Sequence, residues 1–123
     1  MNPENARVLI VEDDALVAME MEARVATFGC TVLGPAPTIA HAHRLLDQFR
    51  PDAALLDVNV CGERVTPIAV RLRAMGVPYV LITGYARLAF EEPELQVTKL
   101  SKPIAEAELT RTLRRLLNPA PAG

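Results

Sequence analysis

A chain of 123 residues, 50% of them apolar, has the length of one domain and the material for one sizeable core. A net charge of −2 gives no field to attract a nucleic-acid backbone or an anionic membrane, so neither is expected as a direct partner. No apolar run approaches the ~20 residues of a membrane span, and Met1 to Asn5 lacks the charged-then-apolar pattern of a secretion leader, which points to the cytoplasm.

Residues 1–6 read as a leader. The stretch Val8 to Val11 is unbroken by polar residues, as expected of a strand buried on both faces of a parallel sheet. From Ala15 to Phe28, Val17, Met21, Val25 and Phe28 fall on one helical stripe, and Gly29 follows as a left-handed stop. Thr38 can cap a second helix carrying Ala42, Leu45, Leu46 and Phe49 at helical spacing. His41 and His43, two apart within it, cannot share a face and read as surface residues.

Ala53 to Leu56 is a second unbroken apolar stretch. Thr66-Pro67 supplies a cap followed by proline at the first helical position, with Ile68, Val70, Leu72 and Met75 ahead of Gly76. Tyr79 to Ile82 is a third apolar stretch. Between Thr83 and Lys102 the run Glu91-Glu92-Pro93-Glu94 would break a full-length helix, so a fourth helix should be short or irregular. Leu109, Leu113, Leu116 and Leu117 form the last stripe, with Glu106 and Glu108 near its start and Arg111, Arg114 and Arg115 near its end, as the helix dipole favours.

Met19, Met21 and Met75 in helical segments read as core filling. Cys30 and Cys61 have no Cys or His at metal-ligand spacing and read as reduced structural thiols, Cys61 near enough to Asp57 for its reactivity to be of interest. Residues 118–123 read as a disordered tail, which leaves 7–117 as the domain and no output domain. Strands alternating with helices imply an α/β fold: a doubly wound, flavodoxin-like parallel sheet, in the order 2-1-3-4-5 if five strands are present. Ligands of such sheets bind beyond the carboxyl ends of the strands, at the topological switch point.

The residues at those ends carry the chemistry. The first strand runs into Glu12-Asp13-Asp14 and the third ends in Asp57, and the proposed order makes these strands neighbours. Carboxylates brought within a few ångströms repel unless a cation intervenes. Oxygen donors with no His or Cys nearby suit Mg²⁺, which keeps waters and needs only one or two carboxylates from the protein. The fourth strand ends in Thr83-Gly84 and the fifth is followed by Lys102-Pro103. Lys102 can neutralise a phosphoryl group on Asp57, and Thr83 can donate a hydrogen bond to one of its oxygens. Singly, each is an ordinary turn or helix-start feature. Each closing a different strand, they point together to a phosphoryl-acceptor site.

Val8-Leu9-Ile10-Val11-Glu12-Asp13-Asp14, Pro51-Asp52-Ala53-Ala54-Leu55-Leu56-Asp57-Val58-Asn59, Leu81-Ile82-Thr83-Gly84 and Leu100-Ser101-Lys102-Pro103 resemble the receiver domains of two-component response regulators over nearly the whole chain. The resemblance implies that Asp57 is the phosphoacceptor, Asp13 a direct Mg²⁺ ligand and Glu12 a ligand through water. It further implies that the Asn59 backbone carbonyl completes the metal shell, while Asp14 starts the helix. By the same resemblance Thr83 reports the phosphoryl group, Lys102 pairs with it, and a cis bond precedes Pro103. The implied phosphoryl donor is a histidine kinase or histidine phosphotransfer protein, with an unknown downstream protein as the output partner. Receivers commonly carry a switching aromatic two residues before the Lys; here that position is Leu100, and Tyr85 is the nearest substitute, as in a receiver subgroup with a Thr-Gly-Tyr segment.

Three other functions can be weighed. Aspartate-nucleophile phosphohydrolases resemble receivers but carry a second Asp two residues after the nucleophile, where this chain has Asn59, an amide unable to do acid–base work. No turnover enzyme is therefore expected. A receiver-like interaction module that is never phosphorylated is the alternative that Leu100 leaves open. Nucleotide binding lacks a Gly-rich phosphate loop after the first strand.

Overall fold

The computed structural model describes residues 6–83, 99–101 in their backbone, and 105–117. In chain order these form β1 (Arg7–Val11), α1 (Ala15–Thr27), β2 (Thr31–Ala36), α2 (Ile39–Gln48) and β3 (Ala53–Asp57). They continue as β4 (Asn59–Val60), β5 (Glu63–Arg64), α3 (Thr66–Met75), β6 (Tyr79–Thr83), β7 (Lys99–Ser101) and α4 (Glu106–Leu117). Five strands make one parallel sheet in the order β2-β1-β3-β6-β7, which is the 2-1-3-4-5 order expected when strands are counted within that sheet. The expected short fourth helix, Tyr85, Lys102 and the bond before Pro103 lie outside the described residues.

The sheet divides two cores. Leu9, Val11, Ala54, Leu56 and Leu81 pack with Ile39, Ala42 and Leu46 of α2 and Ile68, Ala69 and Leu72 of α3. Val8, Ile10, Leu55, Val80 and Ile82 pack with Met21 and Val25 of α1 and Leu109, Leu113 and Leu117 of α4. Both sides of β1, β3 and β6 are therefore dry, which is why their sequences are apolar without alternation.

The helix ends follow local chemistry. The Asp14 carboxylate accepts from the Leu16 and Val17 amides at 2.9 and 3.2 Å, and the Thr38 hydroxyl oxygen accepts from the His41 amide at 3.0 Å. Gly29 carries φ of 104° just past α1, the left-handed stop expected, and Gly76 ends α3 in the same way with φ of 76°. One cap differs. Thr66 is the first helical residue and Val65 occupies the cap, because the Val65 carbonyl already accepts from the Ile68 and Ala69 amides.

Three stripe assignments are corrected. Met19, expected in the core, is 63% exposed, and Val70 is 45% exposed. Met19 lies two positions from buried Met21, and Val70 two from buried Ile68 and Leu72, about 200° round the axis in each case. Phe49 lies just past α2 instead of on its stripe, with the Arg7 guanidinium 5.6 Å over its ring. His43 is half-buried, and its Nδ1 lies 3.0 Å from Arg71 Nη1, which also donates to the His43 carbonyl; Arg71 Nη2 pairs with Asp47 at 2.6 Å. These bonds clasp α2 to α3.

β2 departs from a plain strand. Leu9 pairs with Leu33 but Val11 with Ala36, so β2 carries one residue more than β1 between those pairs. Gly34 and Pro35 fill that bulge, joined by the cis bond found among the described residues, and Gly34 has φ 103°. On this edge strand proline costs no central ladder bond.

Candidate functional site

The strands end in step. Val11 pairs with Leu56, so Glu12 and Asp57 reach the carboxyl edge together. Asp57 pairs with Ile82, which puts Thr83 one residue further on in the next strand. Thr83 in turn pairs with Ser101, the residue immediately before Lys102. Leu100 pairs with Ile82 within β7.

Glu12 is 1% exposed, Asp57 6% and Thr83 6%, whereas Asp13 faces water. Glu12, Asp13 and Asp57 each bring a carboxylate oxygen within 4.8 Å of the others. Like charges at such a spacing repel by on the order of 3 kcal/mol per pair at an effective dielectric of about 20. Burial of two of the three leaves little water to screen this. Three hard oxygen donors with no nitrogen or sulfur ligand among them are a donor set that fits Mg²⁺.

Backbone amides orient the acids. Glu12 Oε2 accepts from the Asp14 amide at 3.0 Å, while the Glu12 amide donates to the Ala36 carbonyl beyond the β2 bulge. Asp14 itself turns away to cap α1, the role expected for it. Asp13 Oδ2 accepts from the Cys61 amide at 2.8 Å, a bond the sequence does not announce.

Cys61 sits in a feature absent from the sequence expectations. β4 and β5 form a small antiparallel hairpin, with Asn59 opposite Arg64 and Val60 opposite Glu63. Cys61 and Gly62 connect them with φ of 53° and 79°, both positive as in a type I′ turn. Cys-Gly is a weak form of the Asn-Gly or Asp-Gly signal, which is why the hairpin escapes a reading by pattern. Asn59 stands at its start, two residues past Asp57. Both thiols are free: Cys61 is exposed, and burial together with the nearby Asp52 charge pushes the Cys30 thiol above its usual range. No helix among the described residues is long and apolar enough to cross a membrane.

Known proteins share this fold. A scan against protein-family models gives no match. The chain is 31% identical over 115 residues to the phyllosphere-induced regulator PhyR of Methylorubrum extorquens, covering 89% of this chain and 43% of that protein. It thus spans about half the length of the curated relatives it matches. The receiver domain of the Erythrobacter litoralis PhyR response regulator superposes with a TM-score of 0.82 at 26% identity, covering 97% of this chain and 96% of that one. The signal receiver domain of a modulated diguanylate cyclase from Desulfovibrio desulfuricans gives a TM-score of 0.80 at 31% identity, covering 91% and 93%. Superposition of this quality, with 31% identity over 93% of a solved receiver domain, leads to one conclusion: the chain belongs to the receiver-domain family of two-component response regulators.

Proposed function

We propose that this chain accepts a phosphoryl group on Asp57 with Mg²⁺ held by Asp13, Asp57 and the Asn59 backbone carbonyl, and by Glu12 through water, and signals through altered protein contacts. The observation that carries this reading is the meeting of three carboxylates from two strand ends within 4.8 Å, two of them buried. Such a cluster is costly for its own sake, and a divalent ion supplies the positive charge that makes it and an incoming phosphate tolerable.

In the transfer, a carboxylate oxygen of Asp57 attacks the phosphorus of a phosphohistidine on a histidine kinase or phosphotransfer protein. The new P–O bond gives an acyl phosphate, the P–N bond breaks, and the released imidazole nitrogen takes a proton from water. Thr83 donates its hydroxyl hydrogen to a phosphoryl oxygen, and Lys102 pairs with the added charge. The acyl phosphate carries roughly −1.5 to −2 charges where the carboxylate carried one, and this shift of charge outward to the strand-end loops biases their arrangement and so the surface offered to a downstream protein in the cytoplasm.

Incubation with acetyl phosphate and Mg²⁺, followed by intact mass, tests the proposal. Wild type gains one phosphoryl group, Asp57→Asn gains none, and chelation abolishes the gain. An unmodified wild type would leave an interaction module that keeps the fold without phosphorylation. Steady release of phosphate from p-nitrophenyl phosphate would instead make the chain a phosphohydrolase and overturn the expectation that it has no turnover substrate.

A further inference from the structure

The hairpin between β3 and α3 is more than a connection. Its underside is fixed in the core, with Val58 1% exposed and Val60 and Val65 fully buried, and the Val65 amide donates to the Val58 carbonyl at 2.9 Å. Its tip is Cys61, a residue with a side chain in the left-handed region, where a single non-glycine residue costs about 1 to 2 kcal/mol. The strained residue is the one whose amide reaches 48 positions back along the chain to Asp13 Oδ2, at 2.8 Å. Its thiol also donates to the Pro37 carbonyl at 3.4 Å, which ties the tip to the loop after β2.

We propose that the β4–β5 hairpin is a positioning device for the metal site, in which the left-handed backbone of Cys61 aims its N–H at Asp13 and sets the direction of that carboxylate. This rests on the reading of Asp13 as a Mg²⁺ ligand. Asp13 is the one exposed member of the acid cluster, and an exposed carboxylate generally loses rotamer freedom when it binds an ion. A donor anchored in the core removes that freedom beforehand, and an orienting hydrogen bond of this kind governs ligand affinity in metal sites generally. The device depends on backbone conformation and not on sulfur. Residues that tolerate positive φ can replace Cys61, and a β-branched residue cannot.

The test is a MgCl₂ titration of the full chain followed by backbone-amide NMR, with dissociation constants taken from the shifts of residues 12–14 and 57. Cys61→Val weakens Mg²⁺ binding on the order of 10-fold. Cys61→Gly and Cys61→Asn, both without the thiol, stay close to wild type. In the apo protein, Asp13→Ala moves the Cys61 amide proton upfield as its acceptor is removed. Wild-type affinity in Cys61→Val, or a loss in Cys61→Gly as large as in Cys61→Val, would overturn the proposal, the latter by assigning the effect to the thiol. If Cys61→Val does not fold, the Asp13→Ala spectrum decides, and an unmoved Cys61 amide sinks the idea. Absence of Mg²⁺-induced shifts in wild type is a separate result, which removes the metal reading while the Asp13→Ala comparison still reports on the hydrogen bond.

Discussion

Gly34 shows how far one residue can be constrained by a position that carries no chemistry of its own. A Cβ built there would lie 2.8 Å from the Ala36 nitrogen and 3.0 Å from the Ile10 carbonyl oxygen, both backbone atoms of the bulge that ends β1 and β2. Its φ of 103° is in addition a conformation that side chains avoid. Gly34→Ala should therefore cost about 3 kcal/mol, combining left-handed strain with backbone displacement. The loss is read as a lower urea midpoint at unchanged m-value, and an unchanged midpoint would show that the bulge yields freely. At this scale the acids and Thr83 were legible because each ends an apolar run. Cys61 was not, since its contribution runs through an amide and a positive φ that side-chain chemistry does not encode.

Among the elements, legibility followed unbroken apolar runs and helical periods. The stripes of α1 and α4 and the dry strands β1, β3 and β6 are written as runs or periods, and the structure buries them as such. β2 reads poorly because Gly34-Pro35 interrupts it, which an edge strand with a bulge tolerates. β4 and β5 are too short for any period, so the hairpin could emerge only from the turn geometry. The caps discriminate among the three adjacent acids: Glu12 and Asp13 face the cluster, while Asp14 serves α1. Asp14→Ala should accordingly cost about 1 kcal/mol through two lost amide partners, with phosphorylation by acetyl phosphate retained. Loss of phosphorylation in a folded Asp14→Ala protein would move Asp14 into the site and contradict its assignment as a cap.

For the molecule as a whole, the cluster sits at the rim of a sheet sealed between two cores, so charge repulsion there works directly against folding. Removing one charge and supplying a cation should then stabilise the same region by different routes. In EDTA, Asp57→Asn is expected to melt higher than wild type, because a buried carboxylate leaves the group while its shape is kept. Mg²⁺ at ten times its dissociation constant should stabilise wild type by about 1.4 kcal/mol, since it binds the folded site and not the unfolded chain. For a domain of this size that is a rise in Tm of roughly 5 °C, measurable by circular dichroism. Asp57→Asn, which lacks one of the proposed ligands, should show a smaller rise. The two effects have a common origin, so they stand or fall together: equal Mg²⁺ increments in both proteins, with wild type the more stable in EDTA, would mean that the three acids neither strain the fold nor gather an ion.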